Sequence, residues 1–137
     1  MKRAYVDANV ILRLVTGDPP EMADAAESMF RLVDDGELEL LIEPVVIAEA
    51  VWVLSSFYGF SPAEIAPILR TFLAGEGIVG DDKDALLDAL QLYEDTNVDF
   101  ADALLAVKMA REGIRDVYSF DKHFDRIEGI RRRVPGA

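Results

Sequence analysis

The 137-residue chain contains no cysteine and a single histidine, His123. The first absence excludes disulfides and thiolate-held metals, and fits a reducing compartment. The second excludes a histidine-rich zinc site and any mechanism that needs paired histidines. A Ser–His–Asp triad has only His123 to draw on, and no Gly-x-Ser-x-Gly elbow accompanies it. Neither a Gly-x-x-x-x-Gly-Lys loop nor a Gly-x-Gly-x-x-Gly turn occurs, so nucleotide-cofactor chemistry lacks its usual phosphate cradle. No uncharged apolar run reaches the roughly 18 residues of a membrane span, because the longest, residues 44–63, is interrupted by Glu49. The start "MKRAYVDANV" has neither the apolar centre nor the cleavage site of a secretory signal. These absences lead to the expectation of a cytoplasmic protein with no membrane association.

Basic charge is also scarce. Fourteen Lys and Arg face 26 Asp and Glu, for a net charge of −12, which argues against a general nucleic-acid-coating protein. The deficit is uneven. Residues 1–110 hold seven basic and 21 acidic side chains, and residues 111–137 hold seven and five. This pattern is either a solvated acidic surface with a basic tail or a basic rim beside an acidic pocket.

A hydrophobic content of 51% with 29% charged residues fits a globular chain, and the length predicts a single domain over residues 1–137. Strand-like and helix-like segments alternate. "RAYV" reads as a strand and feeds a helix from about Ala8 to Val15, stopped by "GDPP". A helix begins after Pro19 and Pro20 and ends near Gly36. "LELLI" is a second strand. An apolar helix runs from Pro44 to about Tyr58, and a Ser-Pro-x-Glu cap opens the next, which ends at Gly75. "GIVG" is a weak strand. Helices follow from Asp81 to about Asp95 and from Asp99 to Glu112, the latter stopped by Gly113. "DVYSF" and "GIRRRV" are strands flanking a short turn or helix that starts at Asp121. This order predicts a three-layer α/β/α sandwich around a mostly parallel, roughly five-stranded sheet, with ligands gathering at the carboxyl ends of its strands.

Four positions place carboxylates in unusual company. Asp7 ends the first strand, where it is either a helix cap or a ligand. Glu49 is the one charged residue between Pro44 and Ala63, on a helix apolar on nearly every face. That predicts a buried or interfacial carboxylate, which needs a partner such as Arg13 or a role in a site. Asp99 and Asp102 share one helix face at its N-terminal turn, where caps and first-turn acids are also ordinary. Asp121 ends the strand "DVYSF", again as cap or ligand, and Ser119 points to its side if the strand extends that far. Carboxylates gathered without cations repel one another. A hard divalent ion resolves this, and oxygen-only donors favour Mg²⁺ or Mn²⁺ over zinc. Such ions suit phosphodiester cleavage: one activates water and another stabilises the leaving oxygen. Metal charge would also reconcile an acidic protein with an RNA substrate, with Lys122, Arg126, Arg131, Arg132 and Arg133 available for flanking phosphates.

The segments "YVDANVILRLVTGD", "VVIAEAVWVLSS", "VDFADALLAVKMAREG" and "VYSFDKHFDRI", in this order and spacing, resemble the PIN-domain ribonucleases, most closely the VapC-like toxins of toxin–antitoxin pairs. The resemblance covers nearly the whole chain. It implies that Asp7, Glu49, Asp102 and Asp121 are the catalytic acids. Asp7, Asp102 and Asp121 would hold Mg²⁺ or Mn²⁺ with help from Asp99, while Glu49 is a ligand or orients the attacking water. Asn9 and Ser119 match polar positions that support the acids. Ala8 departs from the family, where Thr is common. The resemblance also implies endonucleolytic cleavage of RNA, a homodimer, and inhibition by a small antitoxin protein. The apolar helices carrying Trp52, Phe57, Tyr58 and Phe60 would supply dimer or antitoxin surface, or else ordinary core.

Two rivals share parts of this pattern. Phosphatases of the haloacid-dehalogenase type need a second Asp two residues after the first, where this chain has Asn9. Toprim-type nucleases use Asp-x-Asp, which "DKD" at residues 82–84 matches only by letters, since it opens an amphipathic helix. A catalytically inactive dimeric binding module is the rival from a different class, and loss of metal binding would favour it.

Overall fold

Short β-prone stretches alternate with longer stretches of helical period, and the computed structural model, which describes residues 2–136, follows that alternation. Among the described residues there are five strands, six α-helices and one 3₁₀ turn. The chain divides into two compact units, residues 1–84 and residues 85–137.

The first unit is built on strands β1 (Lys2–Tyr5), β2 (Leu38–Leu41) and β3 (Ile78–Val79), hydrogen-bonded in the order β1-β2-β3 with both pairings parallel. Leu38 and Leu40 alternate inward along β2, as the period of two requires. Helix α1 (Ala8–Thr16) follows β1 after two residues and ends where Gly17 turns left-handed at φ 69°. It packs on α2 (Pro20–Asp34) and on α3 (Pro44–Ser56), and α3 in turn packs on α4 (Pro62–Leu73). The expected cap of α4 is present: Ser61 Oγ accepts from the Glu64 amide, and the Glu64 carboxylate accepts from the Ser61 amide. The Ser61 amide and hydroxyl both donate to the Glu64 carboxylate, and these bonds hold the carboxyl below its ordinary range. Ile11, Leu40, Ile47, Leu54, Ile65 and Leu69 are fully buried. Each contributes about 1.5–3 kcal/mol relative to exposure.

The second unit holds most of α5 (Lys83–Thr96), then α6 (Phe100–Glu112), β4 (Asp116–Tyr118), the 3₁₀ turn η1 (Lys122–Arg126) and β5 (Arg131–Arg133). Strands β4 and β5 form their own parallel pair. Gly113 ends α6 at φ 72°, as the sequence predicts. Each pairing among the five described strands is parallel, in one ladder of three and one of two.

Several boundaries shift by a residue or two, and two of the shifts have a visible cause. Helix α3 stops at Ser56, because the amides of Phe57 and Tyr58 both turn onto the carbonyl of Val53. Strand β4 stops at Tyr118 rather than Phe120, because Ser119 bends the chain by accepting a hydrogen bond from the Asp121 amide.

Candidate active site

In the first unit the candidate residues sit where strand gives way to helix. Asp7 leaves β1 and caps α1: its Oδ1 accepts from the Val10 amide at 3.1 Å. The second Asp7 oxygen is not needed for that bond, and the side chain is exposed. Asn9, one turn into α1, is also exposed.

Of the two places expected for Glu49, buried or interfacial, the structure rules out the buried one. Helix α3 buries Ile47, Ala50, Val51 and Leu54, and Glu49 lies on the opposite, exposed side. That outer side carries Val45, 72% exposed, and Trp52, 66% exposed, at helical spacing from Glu49. The helix reads as apolar all round because its outer face is apolar and open, not because it is enclosed. Trp52 and Phe57 are accordingly surface residues rather than core. Phe57 meets Tyr58 edge-on with ring centres 5.0 Å apart.

The second unit gathers its acids. Asp99 occupies the N-cap position of α6 but makes no capping bond, so its carboxylate is not engaged as a cap. Asp102, one turn on, is half-buried among Phe100, Ala103 and Ala106. Burial pushes its carboxyl above the ordinary carboxylate range, and the negative charges of Asp99 and Asp121 push it further; His123 pulls the other way. The nearness of the Asp121 side chain works in the same direction. The charge of Asp121 opposes ionisation of Asp102, and a cation bound beside both would relieve that. Asp99 also helps burial to raise the phenol of Tyr93.

Asp121 is held from several directions. Its amide donates to Ser119 Oγ at 2.9 Å. Its Oδ1 accepts from the His123 amide at 2.8 Å and lies 3.3 Å from His123 Nδ1. Ser119 therefore supports Asp121 through the main chain, not through the carboxylate. His123 was overlooked by sequence reasoning as a neighbour of the acids. Its position two residues after Asp121, at the start of a turn, was the available signal.

The acids are oxygen donors throughout, which suits Mg²⁺ or Mn²⁺. As the side chains stand, no three Asp, Glu or His among the described residues are grouped to hold an ion. The arginines foreseen as phosphate contacts are partnered: Arg131 and Arg133 with Asp116, Arg132 with Asp125, and Arg126 with the Asn97 carbonyl. A hollow of about 820 Å³ in the first unit is lined by the amino ends of β2 and β3, including Leu38, Glu39, Gly77 and Ile78, and contains none of the candidate residues. Among the described residues no helix is long and apolar enough to cross a membrane.

Comparison with known proteins agrees with this layout of short parallel strands and acid-bearing helix starts. The chain is 27% identical over 122 residues to a VapC ribonuclease of Aquifex aeolicus (strain VF5), covering 89% of this chain and 90% of that protein. The model of the PIN domain matches residues 4–130. The chain belongs to the PIN domain family.

Proposed function

We propose that this protein is a Mg²⁺- or Mn²⁺-dependent endoribonuclease acting as the toxin of a toxin–antitoxin pair in the cytoplasm. The observation that carries this reading is the nearness of Asp102 to Asp99 and Asp121, oxygen-donor side chains whose negative charges add to burial in pushing the Asp102 carboxyl up. In this reading Asp102 and Asp121 hold an ion with help from Asp99; on the first unit, Asp7 is a metal-binding acid and Glu49 binds metal or orients the metal-bound water. When bound, the ion supplies positive charge at the scissile phosphate and acidifies the attacking water. Ser119 and His123 keep the Asp121 main chain and carboxylate oriented, and Asn9 is a polar contact beside the acids. Similarity to a VapC ribonuclease supports RNA as the substrate.

Partner binding has its own support. A groove of about 360 Å³ between α1 and α2 is lined by Val10, Met22, Ala26 and Met29, with Asn9 and Arg13 also on it. An apolar floor with polar groups suits a short antitoxin segment. We assign the open face of α3, with Val45 and Trp52, to a homodimer, since apolar patches of this kind on a monomer mark interaction surfaces.

The test is to map new RNA 5′ ends in total RNA incubated with the purified protein. Cleavage that requires Mg²⁺ or Mn²⁺, and that disappears in Asp102→Asn and Asp7→Asn, is the expected result. Retained cleavage in both variants removes the assignment.

A further inference from the structure

Three consecutive arginines form β5, and a strand must send the middle one to the opposite face from its neighbours. Arg131 and Arg133 lie on one face and both reach Asp116 across the ladder, at 2.8 and 3.5 Å. Arg132 turns the other way and is sheltered, with only 14% of its side chain exposed.

Its guanidinium closes a ring of chain. Nε and Nη2 meet the two carboxylate oxygens of Asp125 at 3.1 and 3.4 Å, the forked geometry that only arginine offers. Nη1 donates to the Ser119 carbonyl at 3.2 Å. The Ser119 amide donates to the Arg133 carbonyl at 3.0 Å, so both main-chain groups of Ser119 are fixed by β5. Between these two anchors, Ser119 and Asp125, lies the arc that carries Asp121. Within it the Ser119 hydroxyl accepts from the Asp121 amide and the Asp121 carboxylate accepts from the His123 amide. Phe124 and Ile127 are buried and hold the far side of η1, but they leave the direction of the 119–123 turn to the polar bonds.

We propose that Arg132, acting with Asp125, is a positioning residue for Asp121: it fixes the arc 119–125 so that the Asp121 carboxylate is presented to Asp102 and to the ion both would hold. The inference rests on the metal-dependent reading above. It gives Arg132 a role distinct from the phosphate contact its basic neighbourhood suggests. A sheltered guanidinium whose fork already holds Asp125 and whose third nitrogen holds a carbonyl has little left for RNA.

Two measurements on the full chain test it. The first is Mn²⁺ titration by calorimetry of the wild type, Arg132→Met, Arg132→Lys and Asp125→Asn, with Asp102→Asn as control. Removing an outer partner of a ligand typically lowers metal affinity about 10–100-fold, which is expected for Arg132→Met. Arg132→Lys keeps the charge but not the fork, and should recover only part of the loss. Asp125→Asn should fall between it and wild type. The second, free of metal, is hydrogen exchange at the His123 amide, expected to quicken about tenfold or more in Arg132→Met while amides of α6 hold their rates. A folded Arg132→Met protein with wild-type Mn²⁺ affinity and wild-type His123 exchange overturns the proposal. Should Arg132→Met fail to fold, Arg132→Lys and Asp125→Asn decide by the same two readouts. If wild type and Asp102→Asn bind Mn²⁺ equally or not at all, the metal reading itself fails, and His123 exchange alone then decides whether Arg132 fixes the Asp121 arc.

Discussion

The two units solve the same problem, placing acids at strand ends, by different means. The first is held by apolar burial: a three-stranded ladder and helices α1, α3 and α4 enclosing Ile11, Ile47, Leu54 and Leu69. Its acids stand outside that core, Asp7 as a cap and Glu49 on an open face. The second rests on a two-stranded ladder laced by charge, with Arg131 and Arg133 on Asp116, Arg132 on Asp125 and Arg111 on Asp88. Asp99 and Asp121 stand close enough to Asp102 to raise its carboxyl. The lesson is that a unit can orient a functional carboxylate through ion pairs laid over its core, while its neighbour leaves its own carboxylates free of such ties.

Several substitutions would break or sharpen this contrast. The largest effect expected is loss of cleavage in Asp102→Asn, about 1,000-fold or more in rate, measured on mapped RNA ends with the fold checked by circular dichroism. Next is Leu54→Ala in the apolar unit. It should cost about 2–5 kcal/mol in urea unfolding, as expected for a cavity at a fully buried site. Asp7→Ala should cost about 0.5–2 kcal/mol through the lost cap, whereas Asp7→Asn should cost little, because Asn caps as well. If Asp7→Asn and Asp7→Ala are equally destabilised, the capping bond is not what Asp7 contributes. The smallest effect is Asp116→Asn, whose ion pairs are exposed: at most about 1 kcal/mol, shrinking further in high salt.

Much of this fold is legible in the sequence because its punctuation is local. Gly17 and Gly113 sit in left-handed caps, and Ser61 with Glu64 makes the expected capping box. Asp7 follows β1 as a helix cap, as read, whereas Asp121 lies beyond the end of β4 and caps η1. Glu49 was harder. Periodicity distinguishes a buried face from a wet one only when the wet face is polar, and Val45 and Trp52 remove that contrast. Asp99 reads as a cap, yet its side chain makes no capping bond, a distinction set by rotamer and not by residue type. The inward turn of Arg132 was available from strand alternation. Its partner Asp125 was not, since that pairing depends on how η1 folds back on β5.

The most direct test of the central claim uses the sign of the Asp102 shift. Its carboxyl is raised in the folded state, so between the ordinary carboxylate range and that raised value the folded protein holds more protons than the unfolded one. Stability is then lost as pH rises through that window, and at neutral pH the charged Asp102 destabilises the metal-free protein. Asp102→Asn removes this cost; a bound ion reverses it. Thermal unfolding of both proteins at pH 7, in chelator and in Mn²⁺, is therefore the measurement to make. In chelator Asp102→Asn should melt higher than wild type, by roughly 1–3 °C because the group is half-exposed. In Mn²⁺ the wild type should rise and overtake it. If the two proteins keep the same order and spacing in both conditions, Asp102 holds no metal and the account fails.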